Sequence, residues 1–97
     1  MHIRVTPGHL HPDKMQEAVA VIQELFETYR QAGGFQQGYL AADEQSGEGM
    51  VVTLWDSADA AQTAVQQAGP MLAKLGPLMV SGQAPVPPRA YEVLLQG

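Results

Sequence analysis

Phe35-Gln36-Gln37-Gly38-Tyr39-Leu40-Ala41-Ala42-Asp43, Glu44-Gln45-Ser46-Gly47-Glu48-Gly49 and Met50-Val51-Val52-Thr53-Leu54-Trp55 follow one another without a break. Two apolar segments flank a polar, glycine-bearing one, the composition of a hairpin: glycine takes positive φ freely, and Asp and Ser side chains bond to their own backbone. A strand is expected over 35–43, a loop over 44–49 and a strand over 50–55. Gly38 is read as a bulge or a point where another group approaches the backbone closely.

Working outward, both flanks read as helix. Upstream, Met15, Ala18, Val19, Ile22, Leu25, Phe26 and Tyr29 recur at spacings of three and four, with Gln16, Glu17, Gln23, Glu24, Glu27 and Arg30 between them. That apolar stripe defines an amphipathic helix, opened by His11-Pro12-Asp13 and closed by Gly33-Gly34. Downstream, Asp56 or Ser57 can cap a helix of small residues, Ala60, Ala61, Ala64, Val65 and Ala68, which stops at Gly69-Pro70. A shorter apolar piece, Met71, Leu72 and Leu75, ends at Gly76-Pro77. Met1 to Thr6 alternates until Pro7-Gly8 and reads as the first strand; Tyr91 to Leu95 reads as the last. Gly82 to Arg89 holds three prolines and is expected to be irregular.

The order strand, helix, strand, strand, helix, strand predicts an α+β, ferredoxin-like βαββαβ fold, a four-stranded antiparallel sheet with two helices on one face. Ninety-seven residues fit one domain spanning 1–97. Arg4, Lys14, Arg30, Lys74 and Arg89 are scattered and outnumbered by ten acids, giving net charge −5; no basic stripe points to nucleic acid. The absence of cysteine excludes disulfides, thiolate catalysis and cysteine metal sites. No apolar run reaches the roughly 20 residues of a membrane span, and Met1-His2-Ile3-Arg4 does not read as a secretion signal. A cytoplasmic protein is expected.

The sheet face away from the helices should alternate to polar if water touches it. It does not: Met50, Val52 and Leu54 point opposite to Val51, Thr53 and Trp55, while the neighbouring strand places Phe35 and Tyr39 opposite Leu40 and Ala42. Leaving Met50, Val52 and Leu54 wet would forfeit about 1.5–3 kcal/mol each. A homodimer closed sheet against sheet is the expected partner arrangement.

Phe35-Gln36-Gln37-Gly38-Tyr39-Leu40, the acidic-glycine hairpin, and Val52-Thr53-Leu54-Trp55-Asp56-Ser57 before an alanine-rich helix resemble the antibiotic biosynthesis monooxygenase (ABM) family, over most of the chain. The resemblance implies a dimeric α/β barrel whose members include cofactor-independent oxygenases of polycyclic phenols and quinols and haem-degrading oxygenases. It places Trp55 on the wall of a cavity between sheet and helices. The asparagine that catalytic members carry near this tryptophan has no counterpart, since the chain contains none; Thr53 offers a hydroxyl on the same face. The haem-ligating histidine of the second helix is also missing between Ser57 and Pro77. A monooxygenase without metal or flavin is the implied chemistry; a non-catalytic ligand-binding or stress-associated barrel is the alternative.

The candidate substrate-binding residues are Trp55, whose ring could stack on a flat aromatic ligand, Thr53, a partner for its indole N–H, Tyr39 and Tyr91, strand phenols able to bond a phenolate, and Phe26. Tyr29 completes the helix stripe and reads as core. His9 and His11 are the candidate catalytic bases at the pocket mouth, imidazole having the ordinary range for that role. With His2 they lack a further ligand set, so the His9-x-His11 loop reads as solvated, with no metal or other cofactor. Arg4 is expected to pair with Glu92 across the first and last strands, the alternative being an anion or enolate anchor inside the barrel.

Overall fold

A computed structural model describes residues 1–80 and 88–97. In chain order the elements are β1 (His2–His9), α1 (Met15–Ala32), β2 (Phe35–Ala42), β3 (Glu48–Trp55), α2 (Ala58–Gln67), α3 (Gly69–Ala73) and β4 (Arg89–Glu92), with 3-10 turns at Pro12–Lys14 and Gly76–Leu78. The sheet order is β2-β3-β1-β4 and its paired strands are antiparallel. Ile22, Leu25 and Tyr29 of α1, Trp55 of β3, and Ala61 and Ala64 of α2 form one buried cluster, so both long helices lie on the Trp55 face. This is the ferredoxin-like α+β arrangement expected, with the short α3 added to the helix layer.

The local causes match the residue types. Gly33 and Gly34, at φ 90° and 80°, end α1 in a region costly for a residue with a Cβ. The hydroxyl of Ser57 accepts the N–H of Ala60 at 3.1 Å and caps α2, while the Asp56 carboxylate accepts the Gln36 carboxamide instead. The alanines of α2 let its backbone sit close over the rings beneath; Gly34 stands so near that an added Cβ would lie 2.6 Å from that of Ala60. In the β2–β3 turn, an Asp43 carboxylate oxygen accepts the N–H groups of Gln45 at 2.8 Å and Ser46 at 3.2 Å. Those two bonds hold the Asp43 carboxyl below its ordinary 3.8.

Three boundaries differ from expectation. β1 runs through Pro7-Gly8 to His9 because β3 begins at Glu48 and pairs with it along its whole length. Proline is tolerated there because it falls between the two pairings on the opposite edge of β1, β4 against His2–Val5 and the Leu10–Met79 bridge. β4 occupies Arg89–Glu92 rather than 91–95: Glu92 pairs with His2, and Val93 N–H reaches the Met1 carbonyl at 2.9 Å. Leu94 and Leu95 are thus left 94% and 89% exposed. Arg89, expected in the proline-rich irregular stretch, opens this strand; Pro88 before it is irregular, and 82–87 lie outside the described residues.

The largest departure is in β2. Phe35 pairs with Trp55 and Gln37 with the adjacent Leu54, so Gln36 is an extra residue, a β-bulge. Beyond it Gly38, Leu40 and Ala42 face the helices, while Gln37, Tyr39 and Ala41 share the outer face with Val52 and Met50. Simple alternation put Phe35 and Tyr39 together. The bulge sends Phe35 inward and Tyr39 outward.

Candidate functional site

Trp55 lies at the centre of the interior and is 0% exposed. Its ring meets Tyr29 edge-on at a centroid distance of 4.9 Å and Phe35 edge-on at 5.2 Å; Phe26 extends the cluster through Phe35 at 5.7 Å. Such tilted and edge geometries suit the ring quadrupoles. The indole N–H donates to the Thr53 hydroxyl at 2.8 Å, on the same face two residues earlier. Thr53 is itself 3% exposed. The pair therefore satisfies itself inside the protein, and Trp55 is a packed core ring rather than the cavity wall or stacking surface expected. Burial also raises the Tyr29 phenol above its ordinary 10.0, partly opposed by the positive charge of Arg4.

Space opens beside this cluster. Toward the far end of the strands, Gly8 and Gly49 are register partners and bring no side chains to the interior. An apolar cavity of about 70 Å³ remains there, walled by Leu10, Ile22, Leu40, Val51, Leu75 and Met79, with Thr6 the polar side chain among the described residues lining it. Against it, on the α1–β2 side, an open apolar groove of about 250 Å³ is lined by Val19, Ile22, Gln23, Phe26 and Leu40. Ile22 and Leu40 belong to both spaces and separate them. Gly38 makes the groove possible: a Cβ there would lie 2.7–2.9 Å from three ring atoms of Phe26. Close approach, not the bulge, explains that glycine.

Of the candidate residues the structure places Phe26 at the groove; Trp55 and Thr53 are packed in the adjoining core and line neither space, and the other candidates lie apart from both. Tyr39 and Tyr91 are about half exposed, at 53% and 51%, on the outer face, opposite Val52 and Ile3. His9 sits at the far end of β1, its Nε2–H donating to the Ser46 carbonyl at 2.6 Å in the hairpin turn. His11 follows Leu10, its backbone N–H bonded to the Leu78 carbonyl at 2.9 Å. Neither imidazole lines the cavity or the groove. Among the described residues no group of three or more His, Cys, Asp or Glu is placed to hold a metal ion, and no helix is long and apolar enough to cross a membrane. Arg4 does not pair with Glu92: the register sets it against Ala90, and His2 takes the Glu92 carboxylate at 3.5 Å. The sequence shows Val19 and Gln23 only as members of the α1 pattern and Gly8 and Gly49 only as turn residues; the site they shape appears once the register is known.

Neither a protein-family model nor a curated sequence matches the chain. Solved structures do. A protein from Nitrosomonas europaea assigned as an antibiotic biosynthesis monooxygenase superposes with a TM-score of 0.78 at 11% identity, over 98% of this chain and 100% of that one. A protein from Caulobacter crescentus with the same assignment gives 0.78 at 21% identity, over 97% and 90% of the two chains. The fold is that of the antibiotic biosynthesis monooxygenases. It extends to a variant of SnoaB, a cofactor-independent oxygenase from Streptomyces nogalater, with a TM-score of 0.67 at 16% identity over 98% and 92% of the chains. These identities establish shared architecture, and the ABM-like fold read from the hairpin and the Trp55-Asp56-Ser57 step is thereby met.

Proposed function

We propose that this chain holds a small electron-rich aromatic molecule in the groove between α1 and β2 and exposes it to dioxygen, as an ABM-type oxygenase needing no resident cofactor. The observation that carries the reading is the apolar groove lined by Val19, Phe26 and Leu40, backed by a second apolar space across Ile22 and Leu40. Apolar walls with few polar groups are what a flat hydrophobic ligand requires. In such chemistry the substrate supplies the electrons: a ring C–H of a phenol becomes a quinone carbonyl, one oxygen atom of O2 entering the product and the other leaving as water. The protein's share is a dry surface, with the Gln23 carboxamide at the groove and the Thr6 hydroxyl in the cavity as its polar contacts.

A second reading, a non-catalytic binder of the same kind of molecule, is favoured by one observation. Among the described residues, no titratable side chain lines the groove or the cavity, so no general base stands ready. Oxygen uptake with one- to three-ring phenols and quinols, alongside titration of Trp55 fluorescence, separates the two. Saturable uptake lost in Leu40→Phe, which fills the shared wall, supports the oxygenase. Saturable binding without uptake supports the binder, and neither response overturns both.

The working unit is proposed to be a homodimer formed through the outer sheet face. Support comes from the register: Ile3, Val5, Val52, Leu54, Tyr39 and Tyr91 lie on one surface, cross-strand neighbours of one another. An apolar patch spread across four strands is a surface that association would remove from water.

A further inference from the structure

On the side of the molecule away from the α1–β2 groove, β1, β4 and the first turns of α2 enclose another space. It measures about 300 Å³ and is lined by His2, Arg4, Ala58, Ala61, Gln62 and Ala90. Its walls are three alanines; its functional groups are a guanidinium, an imidazole and a carboxamide. Among the described residues no carboxylate lines it.

Arg4 is the unusual member. The chain carries ten acids against five lysines and arginines, so a basic side chain has carboxylates to spare. Arg30 takes Glu27 and Lys74 takes Glu24. Lys14 reaches the Pro77 carbonyl. Arg4 is half-buried between β1 and α2, and among the described residues no ion pair or hydrogen bond engages its guanidinium. A partly desolvated guanidinium without an acceptor is costly, and its planar fork of donors fits a carboxylate through two parallel bonds. Beside it, His2 Nδ1 is buried with no hydrogen-bond partner, although Glu92 Oε1 stands 3.5 Å away in ion-pair range. Glu92 itself is exposed and shared with the Met1 amino group at 4.0 Å.

We propose that this space is an anion site, taking a small organic carboxylate whose oxygens meet the Arg4 guanidinium while the Gln62 carboxamide and the His2 ring bound it and the alanines face its apolar body. Arg4 and His2 are the register partners of Thr53 and Trp55, so occupation adjoins the indole and its acceptor. The site is separate from the groove in which the aromatic substrate is proposed, and its test is independent of oxygen uptake.

The probe is benzoate, with inorganic phosphate as a second anion, titrated into the intact chain by calorimetry and by Trp55 fluorescence. Saturable benzoate binding is expected with a dissociation constant of about 1 mM or tighter, weakened at least about tenfold in Arg4→Gln, a loss of about 1.4 kcal/mol. Because Arg4→Gln could disturb the fold, Gln62→Glu is the companion: this position is exposed on α2, and the new carboxylate should occupy the guanidinium. That variant should abolish benzoate binding and raise the melting temperature by about 2–4 °C. Lys74→Gln, exposed just after α3 and away from the site, should bind as wild type. Phosphate binding as tightly as benzoate would move the ligand class to inorganic oxyanions and overturn the carboxylate assignment. No saturable binding of either anion by about 10 mM, or equal affinity in Gln62→Glu, overturns the site.

Discussion

Replacing Thr53 by valine tests whether the Trp55 region is a sealed, self-satisfied core. The change keeps the β-branched shape but removes the oxygen that accepts the indole N–H at 2.8 Å. With Trp55 0% and Thr53 3% exposed, water cannot take over, and a buried donor is left unpaired. Such a group costs about 1–3 kcal/mol, from which the better burial of a methyl subtracts a fraction. A net loss of about 1–2 kcal/mol converts to a fall of about 4–16 °C in melting temperature. Far-UV circular dichroism at fixed protein concentration measures it, fixed because association would make the midpoint concentration-dependent. Trp55→Phe, measured in both backgrounds, completes a cycle: once Thr53 is valine there is no bond left to lose, so the two changes should couple by about 1 kcal/mol. A Thr53→Val melting point within about 2 °C of wild type, or coupling under about 0.5 kcal/mol, would show that the indole N–H finds another acceptor and that the region is not closed.

Val52→Lys puts a charge in the middle of the outer face, between Val5 and Tyr39; light scattering should give about twice 10.4 kDa for wild type and 10.4 kDa for the variant, and a monomeric wild type at about micromolar concentration would end the dimer proposal. Gly47→Ala should destabilise by about 2–4 kcal/mol, since φ is +83° and the new Cβ would lie 1.9 Å from the Leu10 carbonyl oxygen. Gly69→Ala, on a helix with nothing within 4 Å, should be neutral or stabilising, both glycine variants being compared with wild type by urea titration. Tyr29 retains its proton longer when folded than the ordinary 10.0 allows. Its contribution to stability is therefore full below about pH 10 and declines as pH rises toward the folded value; Tyr29→Phe should flatten the fall in urea midpoint between about pH 9 and 11.

The α1 stripe, the hairpin and the Ser57 cap were legible in sequence because each is local: a period, a turn composition, a hydroxyl before a helix. What was not legible depended on register. Nothing in Phe35-Gln36-Gln37 marks which residue is extra, because the bulge is set by where Trp55 meets Phe35. Tyr39 was accordingly assigned to the wrong side of the sheet relative to Phe35. Arg4 was matched with Glu92 on charge alone, while the pairing of β1 with β4 sets Glu92 beside His2. The cavity hinges on two glycines, Gly8 and Gly49, that are far apart in sequence and adjacent only in the sheet. The Thr53 hydroxyl was legible as the indole's partner because alternation already put both on one face.

The extra residue at Gln36 also divides β2 into two frames of opposite sense. Removing that single position would restore strict alternation while leaving Phe35 inward against Trp55 and Leu40 inward against Val51. Deletion of Gln36 is therefore the length change this strand absorbs, whereas losing one residue between Gly38 and Leu40, where no extra position exists, would turn one of the two frames to the opposite face and dismantle the aromatic cluster or the groove.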